Sequence, residues 1–300
     1  MSDELPFSLS DAQAVGGPSL YTDSFVVHGG AAWWLQRSAG EKQLAILSRP
    51  ESPWLSRFHG QTQAFQQCYV LTLCPTTHAN ACVLREALPW LKPVPLGLET
   101  SVGFGDRLGL ATPGHVRALR SILAERPERP IRPIFAQQSI REMTRSRRQP
   151  ADVMDDATWG TFQAGWRVQV GADADHLKTT DDVDACVAVG FTFYTIDPGD
   201  YVDSEADTDP PQVILQKVAA LPWKTLETTV ADLRTAYIGQ TVHLPGQDVR
   251  LGEPEVLRAA VKYGRAIAHA AAMARHLDGK GIPYELEISV DETEKPTTLA

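Results

Sequence analysis

The residues best equipped for chemistry in this 300-residue chain stand close together: Asp173, Asp175 and His176, with Lys178 just beyond. Neutral imidazole is a common ligand of divalent transition metals, which makes His176 the metal-ligand candidate. A lone histidine also serves structural roles. Asp173 and Asp175 are two positions apart, so both carboxylates could share one strand-end face. Carboxylates held near one another disfavour each other's ionisation, which suits a group that accepts and returns a proton. Their alternative role is capping a helix, which Asp does well. A second concentration lies over 284–291, where Glu285, Glu287, Ser289 and Asp291 alternate with Leu286, Ile288 and Val290. On a strand this pattern puts the carboxylates on one face and the apolar residues on the face that packs on helices. Carboxylates turned inward are costly unless a cation compensates them. The other reading is an exposed edge strand with a solvated acidic face. Asp106 and Arg107 could form an ion pair, or Arg107 or Lys178 could hold an anionic substrate group, because both carry fixed positive charge. Asp155-Asp156 before Trp159 reads as the exposed first turn of a helix. Arg145, Arg147 and Arg148 read as a solvated helix end, where cations are favoured.

The elements that must position these residues divide into two regions. In a small β-rich N-terminal region, 1–95, the runs Tyr21–Val27, Ala31–Leu35, Gln43–Leu47 and Gln67–Leu73 are β-prone. Turns at His28-Gly29-Gly30 and Ala39-Gly40-Glu41 separate the first three. Thr77 is placed to cap a helix over His78–Leu88. The proline-rich stretch from Pro89 to Pro95 marks the boundary. From 96 to 300 strands alternate with helices. Strands are expected at Leu98–Phe104, Ile131–Ala136, Arg167–Gly171, Phe191–Ile196 and Tyr284–Val290. Between them fall helices at Pro113–Glu125, Ser139–Arg147, Ala151–Trp166, Asp181–Val189, Pro211–Ala220, Leu226–Tyr237 and Glu253–Leu277. Such alternation predicts an α/β fold with a parallel sheet covered by helices. Every strand candidate finishes in polar or ionisable groups. Asp106-Arg107, Gln137-Gln138, Asp173–Lys178, Asp197–Asp200 and Asp291–Thr293 all lie there. Both a β/α barrel and a doubly wound sheet bind ligands at their strand ends. Asp106, Arg107, Gln137, Lys178 and Asp291 are the candidate substrate contacts.

Composition narrows the partners. With 43% hydrophobic and 22% charged residues, the chain can bury a core. The formal net charge of -9 disfavours nucleic acid, which needs a surplus of Lys and Arg on one face. No apolar run reaches the ~18 residues of a membrane span, and Met1–Ser10 lacks the basic start of a secretory leader. The four cysteines, Cys68, Cys74, Cys82 and Cys186, contain no CxxC pair. A Cys68–Cys74 disulfide is possible, but free thiols in a reducing cytoplasm are the expectation. No glycine-rich dinucleotide fingerprint or P-loop occurs beyond the weak Gly103-Phe104-Gly105.

Five strings carry a more specific signal: Ser101–His115, Phe135–Glu142, Gly171–Thr179, Thr195–Asp200 and Ser289–Thr293. Together and in this order they resemble the tagaturonate/fructuronate epimerases. The resemblance implies an enzyme of hexuronate breakdown, with a (β/α) TIM-type barrel, a bound divalent metal cation and a keto-hexuronate substrate. Carried across by position, Asp175 looks like the proton acceptor, His176 like one metal ligand, and Glu287, on the 284–291 strand, like the proton donor. Two routes fit an epimerisation at a hydroxyl-bearing carbon beta to a ketone: retro-aldol cleavage with re-addition, or proton transfers through enediols. In both, a metal would polarise the ketone.

One departure matters. Members of that family continue well beyond the position of Ala300, and a closed barrel needs eight strands where this chain offers five candidates. The resemblance therefore implies an incomplete barrel. The remaining strands would be lost or supplied by another protein as the missing C-terminal half; the other expected partner is a second copy of the chain in a homo-oligomer. A single histidine would hold metal weakly, since catalytic sites usually draw about three protein ligands. Another metal-dependent sugar isomerase or aldolase, or an inactive fragment, are the competing readings.

Overall fold

The structure, a computed structural model, describes residues 7–66 and 68–290. Gln67, the first residue of one predicted strand, and the segment Asp291–Thr293 lie outside the described residues, so the candidate contact Asp291 does too.

In chain order the elements are α1 (Leu9–Gly16), β1 (Leu20–His28), β2 (Ala31–Ser38), β3 (Glu41–Ser48), β4 (Gln61–Phe65), β5 (Tyr69–Pro75) and α2 (His78–Ala87). There follow β6 (Ser101–Gly103), α3 (Thr112–Glu125), β7 (Arg132–Ser139), α4 (Ile140–Ser146), α5 (Pro150–Gln163), β8 (Gly171–Leu177), α6 (Thr180–Val189) and β9 (Phe193–Ile196). The last are α7 (Pro211–Ala219), α8 (Val230–Tyr237), β10 (Thr241–Leu244), β11 (Gln247–Arg250), α9 (Glu253–Asp278) and β12 (Glu285–Ile288). The chain forms two compact units. One runs to Asp175 and resumes over Asp184–Phe193; the other takes His176–Val183 and the described residues from Tyr194 onward.

In the first unit an antiparallel sheet runs β1-β2-β3-β5-β4. Its first two hairpins turn where predicted. Gly29 and Gly30 have φ of 58° and 73°, and Ala39 and Gly40 have 49° and 88°. Two successive positive φ values make the tight turn whose twist matches the strands it joins. β2 is buried along six successive residues because both faces are covered. Ala31, Trp33 and Leu35 join Leu44, Ile46, Leu84 of α2 and Trp159 of α5 in one core. Ala32 and Trp34 join Ala45, Leu47, Phe7 and Ala12 of α1 in another. The predicted helix cap is in place, with Thr77 Oγ1 accepting the Asn80 N–H at 3.4 Å. Proline near the start of α3 is also as expected. The edge strand β4 was not foreseen; its exposed Gln-Thr-Gln start lacks apolar alternation.

The remaining strands have the order β12-β9-β8-β7-β6. β6, β7 and β8 pair in parallel. The Thr192 N–H donates to the Ala172 carbonyl at 3.1 Å and that of Asp197 to Leu177 at 3.0 Å. Partners therefore ascend together, and β9 is parallel to β8 as well. This order overturns the TIM-type barrel. Among the described residues β6 and β12 are edges, each with one neighbour, and the arrangement is an open, Rossmann-like α/β sheet. The alternation of strands and helices had predicted parallel pairing correctly, but barrels and open sheets share that alternation. Closure depends on pairing between remote edges, which local patterning does not report.

Two local corrections follow. The third strand of the series is not Arg167–Gly171 but Gly171–Leu177. Ala172 and Ala174 are fully buried, and Asp173 is buried beside them. The alternation of Ala and Asp is therefore a strand interior, not a strand end. On β12 the apolar residues do not pack under helices: Leu286 and Ile288 are 37% and 54% exposed.

In the second unit α7, α8 and α9 enclose a small core of Ala206, Ile214, Val218, Leu257 and Val261. Lys262 of α9, almost fully buried, is neutralised by Asp207 at 2.9 Å. The hairpin β10–β11 was not predicted; its residues are largely exposed and its turn rests on Gly246 with φ 89°. No described helix is long and apolar enough to cross a membrane. All four cysteines are free thiols, so the Cys68–Cys74 disulfide does not form.

Candidate functional site

The first unit holds Asp106, Arg107, Gln137, Asp173 and Asp175. Asp106 begins the loop between β6 and α3. One carboxylate oxygen accepts the N–H groups of Leu108 and Gly109 at 3.1 and 2.8 Å, and the other accepts that of Ala111 at 2.7 Å. Burial pushes its acidity down, but these backbone donors outweigh it and hold the carboxyl below the usual carboxylate range. Arg107 does not pair with Asp106; its largely exposed guanidinium meets Glu142 of α4. Gln137 of β7 lies in register with Asp173 of β8. Neighbours in a parallel ladder project to the same side, and the Gln137 amide donates to the Asp173 carboxylate at 2.9 Å. Gly103 on β6 leaves the space for this side chain; a methyl there would collide with the Gln137 amide. Asp175 lies in register with Ser139, whose hydroxyl accepts the Glu142 N–H at the start of α4.

Two residues read from sequence as solvated belong to this framework. Arg148 is not part of an exposed helix end. Its guanidinium donates to the Asp106 carbonyl at 2.7 Å, to Gln138 Oε1 at 2.6 Å and to Asp156 at 2.6 Å. Asp155 is buried rather than exposed, and pairs with Arg85 at 3.0 Å and His78 at 2.7 Å. The Asp155 partners and the Asp106 carbonyl that Arg148 reaches are tens of residues away, so they leave no local signal.

The second unit holds His176, Lys178 and Glu287. His176 has φ 55°, inside a strand. A side-chain-bearing residue in the left-handed region costs on the order of 1 kcal/mol, and such conformations cluster at functional sites. Lys178 Nζ lies 3.0 Å from Asp200 and 3.7 Å from Asp197, and the Asp200 hydrogen bond raises its affinity for the proton. Glu287 on β12 accepts a hydrogen bond from Thr195 Oγ1 of β9 at 2.9 Å. His269 of α9 stacks on Tyr201 at 4.2 Å, and burial lowers its affinity for the proton although the Lys178 backbone works against this.

A bound divalent cation draws about three protein donors to one point. Among the described residues, the group of three carboxylates close enough to share an ion is Asp203, Glu205 and Asp209. Lys217 already sits among them, 2.9, 3.2 and 2.7 Å away. His176 belongs to no such group of three among the described residues. These donors do not by themselves make a complete metal site around it.

A parallel α/β sheet with ionisable side chains on adjoining strands and their following loops defines a protein of the open α/β class with candidate acid–base groups. The model of the tagaturonate epimerase family, UxaE, matches residues 21–300. The chain belongs to that family. It is 35% identical over 282 residues to the tagaturonate/fructuronate epimerase of Thermotoga maritima, covering 94% of this chain and 55% of that protein. Crystal structures of fructuronate-tagaturonate epimerase UxaE from Cohnella laeviribosi also match. The native form and a form with two bound glycerols give TM-scores of 0.80 and 0.81 at 28% identity. Each match covers 96% of this chain and 56% of that one. The chain thus spans about half the length of the relatives it matches.

Proposed function

We propose that this chain carries part of the machinery of an epimerase that interconverts tagaturonate and fructuronate. The observation that supports this reading most is the family match over residues 21–300, which includes both strands bearing the acid–base candidates. In this reading Asp175 is the proton acceptor and Glu287 the proton donor. Lys178 or Arg107 is the candidate partner of a substrate carboxylate, and Gln137 and Asp106 are further candidate substrate contacts. Asp106 would act through the loop it folds, because its oxygens are taken by backbone N–H groups. Lys178 stays fully protonated through neutral pH, as anion binding needs. His176 would serve as one ligand of a divalent cation whose other donors lie outside the described residues. We place the protein in the cytoplasm, where four free thiols persist.

The decisive experiment incubates purified protein with fructuronate and follows tagaturonate by chromatography, with and without added divalent metals. Interconversion supports the reading. Conversion of a ketohexose or aldol cleavage without epimerisation would replace it with an isomerase or an aldolase.

A second reading rests on coverage: with 55% of the relative spanned, turnover requires the remaining part of the family's fold. The exposed Leu286 and Ile288 on the edge strand β12 favour it, since apolar side chains on an open edge invite a further layer. It predicts no activity from this chain alone, and recovery when the C-terminal portion of a family member is supplied in trans.

A further inference from the structure

In the first unit α2 and α5 bring together Cys82, His78, Asp155 and Arg85. His78 and Cys82 are one helical turn apart, so their side chains share a face of α2. His78 Nδ1 lies 2.7 Å from Asp155 Oδ2. A carboxylate can only accept, so Nδ1 carries a proton, and in the neutral ring Nε2 is the position that can take one. That Nε2 is 3.6 Å from Cys82 Sγ. Arg85 Nη2 donates to the same sulfur at 3.2 Å. Asp155 Oδ1 and Thr158 Oγ1 hold the other arm of Arg85 at 3.0 and 2.9 Å, so its direction is fixed. Arg85 and Asp155 are buried, while His78 is half exposed and Cys82 half-buried, which leaves the sulfur accessible.

The geometry points to Cys82 as a reactive thiol, with His78 as its base, that takes a peroxide as electrophile. A nucleophile, a base and a carboxylate orienting that base reproduce the order of parts that activates thiols generally. Arg85 adds a cation-borne donor at the sulfur, the surroundings in which thiolates form. In the reaction the Sγ proton passes to His78 Nε2 and sulfur attacks one oxygen of hydrogen peroxide. The O–O bond breaks, and the departing hydroxide takes the proton back from His78 as water. Sulfur is oxidised to the sulfenic acid and peroxide is reduced.

Three cysteines of the same chain act as internal references. Cys68 is exposed, Cys186 is buried, and burial pushes the Cys74 thiol up to about 12, far from reactivity. The whole chain would be treated with hydrogen peroxide in the presence of dimedone, and adducts at each cysteine followed by mass spectrometry. Cys82 is expected to react about tenfold faster than Cys68. His78→Ala and His78→Gln should each remove about that factor, while Cys74 and Cys186 stay unlabelled and so report an intact fold. The glutamine keeps a donor toward Asp155 but offers no base. Equal labelling of Cys68 and Cys82, or an unchanged Cys82 rate in the glutamine variant, would overturn the assignment.

Discussion

Gln137 and Asp173 face each other across the β7–β8 ladder, and the amide of one donates to the carboxylate of the other at 2.9 Å. This contact accounts for an aspartate buried within a strand, because a carboxylate stays inside only when donors meet its oxygens. Gly103 on the next strand is part of the same arrangement, since a side chain there would displace the amide.

Replacing Gln137 by Leu should therefore lower unfolding free energy by about 1–3 kcal/mol, the cost of a buried polar group that loses a partner. Gly103→Ala should act in the same direction through the displaced amide. Urea titration of both variants checks this; wild-type midpoints would mean that Asp173 does not depend on Gln137.

The loop after β6 predicts a pH dependence. Asp106 is held below the ordinary carboxylate range by its backbone donors. A depressed group contributes stability above its unfolded value and loses it as pH falls through its folded one. Thermal unfolding of the wild type should thus lose this contribution only on acidification below the usual carboxylate range. Asp106→Ala, expected to cost about 1–3 kcal/mol near neutrality, should show a smaller acid-dependent loss. Parallel midpoint curves against pH would contradict this.

Gly109 sits in that loop with φ 71°, and a methyl on it would run into the Asp156 carboxylate that Arg148 holds. Gly109→Ala should destabilise by about 1–3 kcal/mol through strain and the displaced ion pair. A melting temperature within error of the wild type would remove both reasons.

For the proposed chemistry, Asp175→Asn and Glu287→Gln should each lower kcat by roughly 10²–10⁴-fold, the range of general acid–base catalysis. Circular dichroism and melting temperature should stay close to the parent. The assay belongs in whichever form turns over substrate, the chain alone or the chain with the supplied C-terminal portion. Full turnover by Asp175→Asn there would exclude it as the base.

Lys178→Met should raise KM for the keto-hexuronate more than it lowers kcat, as expected of a group that binds the substrate carboxylate. Asp200→Asn, which loosens the lysine without removing it, should give a smaller change of the same kind. A pure kcat effect in both would assign Lys178 to another role.

Much of the chain's local structure is written in its residues. Glycines at positive φ and runs of apolar side chains specify the N-terminal hairpins, Thr77 caps α2, and prolines open α3 and α7. The strings around Gly103–Asp106, Gly171–Thr179 and Ser289 also single out the family, because their combinations are specific irrespective of how they fold. Tertiary structure alone decided three things. It placed Asp173 inside β8, which reads as polar until Gln137 arrives from a strand 36 residues away. It buried Asp155 against Arg85 and drew Arg148 to the Asp106 carbonyl, each partner coming from another part of the chain. And among the described residues it left the sheet open, with β6 and β12 as its edges. In each case the deciding energy is a pairing between groups distant in sequence, whereas propensity and periodicity report only on neighbours.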